Sequence, residues 1–408
     1  MDIEVRSTVV ALKDVLRKVE TGWSPVCDSA RPAMDEWGVL KLSAVTSGKF
    51  VASEAKRLPS EVLPRIAFEV RPGDVLMSRA NGVKALVGVA CTVNQVRPRL
   101  LLPDLVFRLV ADPDVLDPEF LGIVLTSAAV RRQIEAAMRG TSGQYKVSQA
   151  DVRALKIPRL PLPEQRDIVA AHEAFERRIG DLERVAQKRS TLLSATVSAL
   201  LRDQDSSGTT LETMMVSCDP GITLGAHRAP EKRATGYLRV ANVRMGWIDT
   251  SDVAALESTS NDRPRYELVA GDVLVVEGHA NPEQIGRAAL VGSAEEGLLY
   301  QNHLFRLRFD RDEVVPEFAM LWLNSEAVRS YWISRCATSS GLYTINSKLL
   351  ADAPFPVVPI EEQRKTVETW RTGIRAIDSL HGQIAKLRTI QQGVVEDLLS
   401  GRTRVNRT

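Results

Sequence analysis

The chain contains itself twice, and that constrains its fold more than any other feature. Gly73-Asp74-Val75-Leu76 returns as Gly271-Asp272-Val273-Leu274, an offset of 198 residues (271 less 73). Phe107-Arg108-Leu109 returns as Phe305-Arg306-Leu307, Pro118-Glu119-Phe120 as Pro316-Glu317-Phe318, and Glu164-Gln165-Arg166 as Glu362-Gln363-Arg364, all at the same offset. Near the start the register slips by one: Gly22 matches Gly221, while Gly38 matches Gly236. A period this long is far beyond a solenoid or propeller repeat, so each copy is expected to be a domain with an appendage.

The domain part reads as mixed. Short apolar runs at 39–42, 74–77, 86–90 and 106–109, bounded by Gly, Pro and Asn, suggest strands. Pro118 opens a predicted helix from Glu119 to about Met138, with Asp117 as its cap, and Pro316 opens a counterpart to about Ser334. The appendages are helical. Apolar or small residues recur at Ile168, Phe175, Ile179, Leu182, Ala186, Leu193, Thr196 and Leu200. In the second copy they recur at Val367, Trp370, Ile374, Ile377, Ile384, Leu387, Val394 and Leu398, with His381 and Gln391 in the gaps. Steps of three, four and seven indicate a coiled-coil seam. Each helix of about 38 residues would be roughly 57 Å long. The expectation is an α+β chain: mixed α/β domains over 1–160 and 206–358, each followed by a long α-helix, over 161–205 and 359–408, the two helices pairing as an antiparallel coiled coil.

Composition narrows the class. Cys27, Cys91, Cys218 and Cys336 are scattered with no C-x-x-C pair, which favours reduced core thiols and a cytoplasmic location over disulfides or zinc. The longest apolar runs are too short to span a membrane, and Met1-Asp2-Ile3-Glu4-Val5-Arg6 lacks the order of a secretory leader. Net charge is +2, divided unevenly: residues 1–163 carry 23 basic and 18 acidic side chains, residues 206–361 carry 14 and 20. No G-x-x-x-x-G-K-[ST] phosphate loop occurs. Asn281-Pro282-Glu283-Gln284 lacks the second proline and the aromatic residue of an amino-methyltransferase motif. A metal-dependent nuclease would want a lysine after Glu277, where His279 stands instead.

Over nearly its whole length the chain resembles the specificity subunits of type I restriction-modification systems. The likeness is carried by the approach to each helix, Ile157-Pro158-Arg159-Leu160-Pro161-Leu162-Pro163-Glu164-Gln165-Arg166 and Val357-Val358-Pro359-Ile360-Glu361-Glu362-Gln363-Arg364. Both Gly-Asp motifs, Glu20-Thr21-Gly22-Trp23-Ser24-Pro25, and Tyr237 to Val243 followed by Gly246 add to it. The resemblance implies two target-recognition domains, each reading half of a split, asymmetric site on double-stranded DNA. It implies a helix pair that acts as ruler and docks two methyltransferase subunits, and through them the restriction and translocase subunits. It also implies no catalysis and no bound cofactor in this chain, with S-adenosylmethionine, ATP and Mg on the partners.

Base reading needs bidentate donors and acceptors, and phosphate anchoring needs cations and hydroxyls. One candidate is the polar loop with Arg139, Thr141, Ser142, Gln144, Tyr145 and Lys146, and its counterpart with Ser340 and Tyr343. A second follows the Gly-Asp motif: Arg79, Asn81 and Lys84 in the first copy, His279 and Asn281 in the second. Arg239, Asn242 and Arg244 complete the set, with Trp23, Lys41 and Lys49 as weaker candidates. The acidic second domain keeps another reading open, a coiled-coil scaffold that holds protein partners and no DNA.

Overall fold

The computed structural model describes residues 8–140, 143–202, 204, 208–339 and 341–404. The chain divides into two compact units, Met1–Glu183 with Gly382–Thr408, and Arg184–His381. Each unit therefore holds one copy of the repeated domain together with half of each long helix.

In the first unit a four-stranded antiparallel sheet runs in the order Leu16–Thr21, Val106–Ala111, Val75–Ser78, Ala90–Thr92. Beside it, Gly38–Leu40 pairs antiparallel with Ala55–Arg57 and parallel with Leu100–Leu101. The second unit repeats both sheets: Met215–Pro220, Leu304–Phe309, Val273–Val276, Ala288–Leu290, and a three-stranded sheet centred on Ala234–Leu238. Even the register is duplicated, with Val75 opposite Leu109 and Val273 opposite Leu307. Val75 to Ser78 and Val273 to Val276 are buried on both faces, so apolar residues run on without alternation, through Met77 in the first strand and throughout the second. Val75 and Met77 enter one core cluster and Leu76 another, and Val273 and Val275 divide from Leu274 and Val276 in the same way.

The one-residue slip in the repeat falls between Gly22 and Gly38, because the strands before it match in detail: both carry the same bulge, between Leu16 and Lys18 and between Met215 and Ser217. The chain then passes tightly under a neighbouring strand end. A Cβ on Gly22 would lie 2.0 Å from the Leu102 carbonyl oxygen, and one on Gly221 would lie 2.3 Å from that of Tyr300. Only glycine fits at either place.

Two local expectations are corrected. Each predicted long domain helix is two short ones, Pro118–Leu125 with Ala128–Ala137 and Pro316–Leu323 with Glu326–Arg335. Ser127 and Ser325 end the first helix and cap the second through their side chains. Leu86 to Val89 is not a strand, because the buried Ser78 hydroxyl donates to the Leu86 carbonyl and accepts from the Val89 N–H, claiming that backbone for itself.

The long helices span Leu162–Arg202 and Ile360–Ser400, 41 residues each. In the first unit the start of one lies with the end of the other: Ile168 shares a core cluster with Val395, Leu398 and Leu399. In the second unit the end of the first helix, through Val197 and Leu201, meets the start of the second at Val367. Residue numbers rise on one helix as they fall on the other, so the pairing is antiparallel. The seam departs from strict heptads near its ends. Val197 and Leu201 are buried while Leu200 is 38% exposed, and Leu380 is buried beside an exposed His381. The four-residue steps from Leu193 to Val197 to Leu201 rotate the apolar stripe away from a seven-residue repeat.

The Glu-Gln motif holds each long helix to its domain through the glutamine. Gln165 donates to the carbonyls of Val115 and Leu160 at 2.9 and 2.8 Å and accepts from the Asp117 N–H at 2.8 Å. Gln363 does the same with Glu313, Val358 and the Val315 N–H, at 2.9, 2.8 and 2.9 Å. The neighbouring Glu164 and Glu362, in the first turns, suit the positive end of the helix dipole. The anchoring bonds belong to the buried glutamines.

Candidate nucleic-acid interface

The two polar segments proposed for the first copy form one ribbon. Ala80–Asn81 pairs antiparallel with Tyr145–Lys146, setting Asn81 opposite Tyr145. Arg139 and Lys146 exchange backbone hydrogen bonds at 3.0 and 2.9 Å, and the Val147 N–H donates to the Arg79 carbonyl at 3.0 Å. The two turns meet, since a Cβ on Gly82 would sit 3.3 Å from the Gly143 carbonyl oxygen. The Asn81 side chain accepts from the Val83 N–H and fixes the turn. Lys84 Nζ lies 5.0 Å from the centroid of the Tyr145 ring, a cation–π contact. Arg79 is partly buried over Phe107, whereas Lys84, Arg139, Gln144 and Lys146 are exposed. Arg139 reaches Asp151 at 3.4 Å but keeps its side chain 75% exposed. Thr141 and Ser142 lie outside the described residues.

The second copy builds the same ribbon with different chemistry. Gly278–His279 pairs with Leu342–Thr344, His279 opposite Tyr343, and Ala337–Ser339 adds a third strand. His279 Nδ1 accepts from the Asn281 N–H at 2.9 Å, and the Asn281 side chain caps the next turn by accepting from the Glu283 N–H at 3.0 Å. Glu277 meets His303 at 2.7 Å. Ser340 lies outside the described residues. Where the first ribbon presents Lys84, Arg139 and Lys146, this one presents an imidazole, a phenol and small side chains.

Arg239, Asn242 and Arg244 belong to a separate turn. Asn242 is 4% exposed, accepts from the Arg239 N–H, and donates to the carbonyls of Asp249 and Asp252. Its amide is thus fully engaged in holding that turn. Arg239 pairs with Asp252 at 2.8 Å and Arg244 with Asp249 at 3.3 Å. Beneath them the buried Arg287 donates to the carbonyls of Val243 and Val240 at 2.6 and 2.8 Å. Burial, with Arg244 nearby, lowers its pKa. Position 287 has Val89 as its first-copy counterpart, so the repeat offered no signal for it.

The Gly-Asp motif opens the strand that runs on into each ribbon. Asp74 accepts from the Arg71 N–H at 2.9 Å and from Arg108 at 3.1 Å, and Arg108 also holds Glu20 at 2.6 Å. In the second copy the buried Asp272 accepts from the Val269 N–H at 3.0 Å, but its arginine is Arg308, at 2.6 Å, while Arg306 turns to Asp219. Arg306, the counterpart of Arg108, keeps the pair with Asp219, the counterpart of Glu20, and a second arginine two positions along the same strand face takes the Gly-Asp acid. Among the described residues no cluster of His, Cys, Asp or Glu is arranged to hold a metal ion. No described helix is long and apolar enough to cross a membrane.

No protein-family model matches the chain. Among curated proteins, the EcoEI specificity subunit of Escherichia coli is 33% identical over 164 residues, 40% of this chain but only 27% of that protein. The EcoKI specificity subunit of Escherichia coli is 21% identical over 389 residues, covering 89% of this chain and 82% of its own. The StySPI specificity subunit of Salmonella potsdam is 20% identical, covering 89% and 80%. A solved chain described in terms of complex assembly and conformational transition of a type I restriction-modification system has a TM-score of 0.58 over 98% of this chain and 99% of its own, at 18% identity, a likeness of fold. With relatives that span most of its length and a fold held in common, the chain is a homologue of the type I restriction enzyme specificity subunits.

Proposed function

We propose that this chain is the DNA-reading, non-catalytic subunit of a type I restriction-modification complex, each domain copy recognising one half of a bipartite, asymmetric target. The observation that carries the reading is the duplicated ribbon. In both copies two polar segments more than sixty residues apart in sequence, about 80 with 145 and about 279 with 343, come together as one exposed edge. A two-stranded ribbon is an element that the major groove admits. The frameworks match and the ribbon side chains do not, so the two half-sites differ. Lys84, Arg139 and Lys146 would anchor phosphates for the first copy. The long helices would dock methyltransferase subunits, and S-adenosylmethionine, ATP and Mg would sit on partner chains.

The test is to co-express the chain with the methyltransferase encoded beside it and to map methylation by long-read sequencing. The expected result is a single bipartite motif with unlike halves, lost when this chain is omitted. Exchanging residues 1–160 for those of a relative should change one half only. Replacing Lys84 and Lys146 by Ala should weaken DNA binding across all sequences and flatten its salt dependence by about one to two in log–log slope. A complex that assembles without any sequence-specific methylation would defeat the reading in favour of a protein scaffold.

A further inference from the structure

Behind the first domain's main sheet lies a cleft of about 520 Å³, bordered by Lys49, Thr92, Glu119, His172, Glu173 and Glu176. Every one of these residues belongs to the first unit. The volume falls within the range of about 300–1,000 Å³ seen for ligand sites. Lys49 is committed to Glu176 at 3.3 Å, and Gln391 also donates to Glu176, at 2.9 Å. Among the described residues the ion pair of Glu173 is with Arg177, at 3.8 Å and in solvent. Glu119 stands beside Thr92 and faces Asp117 and Glu173, and burial together with those two acids raises its pKa. Among the described residues no cation is paired with it.

The second copy of the repeat supplies the comparison. A cavity of about 590 Å³ overlaps the equivalent place, where Leu290, Gly292, Glu317 and Arg371 stand for Thr92, Asn94, Glu119 and Glu173. There the counterpart of Glu173 is Arg371, and its guanidinium is hydrogen-bonded to the Glu317 carboxylate. The floors differ too. A Cβ on Gly122 would strike the Thr92 hydroxyl at 2.2 Å, so the first cleft has a small, polar floor. Met320 and Leu290 occupy those two positions in the second copy.

We propose that the cleft of the first unit is a receptor for the arginine side chain of a partner protein, which supplies in trans the guanidinium that Arg371 supplies in cis in the second unit. Glu119 and Glu173 accept its N–H groups, and the aliphatic stem lies along Ile123 and Val169, which also border the cleft. Arginine suits the place better than lysine, because its planar fork can bridge two carboxylates. Free arginine fits poorly, since its α-carboxylate would enter an acidic cleft. The assignment rests on the two clefts and not on the DNA-reading proposal.

The test uses the full chain labelled with ¹⁵N-histidine, observed at pH 8, with the His172 signal assigned by its loss in His172→Gln. Nα-acetylarginine methylamide should move the His172 resonance saturably, and acetyl-lysine methylamide and free arginine should do so at least about tenfold more weakly. Glu173→Arg should rebuild the second unit's pair with Glu119, raise the melting temperature and abolish the shift. Should that variant fail to fold, Glu119→Gln serves in its place and is expected to weaken binding at least about tenfold. No shift in the unmodified chain, equal response to lysine, or a response that survives Glu173→Arg would each overturn the proposal.

Discussion

The two copies of the repeat agree where backbone groups need partners and differ where side chains face outward. Gln165 and Gln363 make the same three bonds to residues at the same offset. Gly22 and Gly221 slip under the same strand end, beside Leu102 and Tyr300. By contrast the ribbons share a register and little chemistry, with Lys84 stacked on Tyr145 in one and His279 opposite Tyr343 in the other. In the framework, the pair of Arg108 with Glu20 persists as Arg306 with Asp219, while the Gly-Asp acid changes its arginine from Arg108 to Arg308. A polar group inside a fold costs free energy whenever its partner is lost, so such positions resist change after duplication. Edge side chains meet no such penalty and can diverge to read different ligands.

The largest expected effect tests the shared part. Gly22→Ala and Gly221→Ala each push a methyl group into a carbonyl, at 2.0 and 2.3 Å, and the obstacle is backbone that cannot swing aside. Each should cost about 3 kcal/mol and loosen its own unit. Hydrogen exchange resolved by segment would show it: protection should fall in the mutated copy alone. If one copy tolerates the change, the two frameworks are less alike than their registers imply.

The glutamines come next. Gln165→Leu and Gln363→Leu strand two carbonyls and one N–H apiece, some of them within reach of water, so about 2 kcal/mol each is expected. Glu164→Ala and Glu362→Ala should cost no more than about 0.5 kcal/mol, the scale of an exposed charge on a helix dipole. Denaturant melts of the four variants would separate the two explanations of the motif. Equal losses from glutamate and glutamine would return the credit to the dipole.

Much of this was legible in the sequence, for identifiable reasons. Duplication, long apolar periodicity and the Gly-Asp turns leave marks at fixed spacing, so two mixed domains and two antiparallel helices could be read without coordinates. The ribbon was half legible. Both segments stood out as polar, yet nothing local says that Asn81 lies opposite Tyr145, because strand pairing is a long-range choice. Asn242 is ambiguous in sequence, because an asparagine suited to bases is equally suited to holding a turn; the structure shows it 4% exposed and bonded within its turn. Arg287 was invisible, since a buried arginine answered by carbonyls has no sequence-adjacent acid to announce it.

The smallest effect is the sharpest test of divergence, because it predicts opposite signs at equivalent residues. In the first copy, burial and then the charges of Asp117 and Glu173 hold the Glu119 carboxyl above its ordinary pKa. A carboxyl raised in the folded state favours folding while protonated, and that contribution is lost as pH rises from the unfolded value through the folded one. Glu119→Gln removes the decline and keeps the shape of the side chain, so the variant should melt above the unmodified chain at neutral pH and level with it in acid. In the second copy, Glu317→Gln breaks a charge-assisted bond to Arg371 and should lower stability by about 1 kcal/mol at neutral pH. Thermal melts of both variants at pH 7 and pH 4 give the comparison. Should Glu119→Gln instead destabilise the chain as Glu317→Gln does, Glu119 has a cation answering it already, and the two clefts are not the unlike pair that their sequences describe.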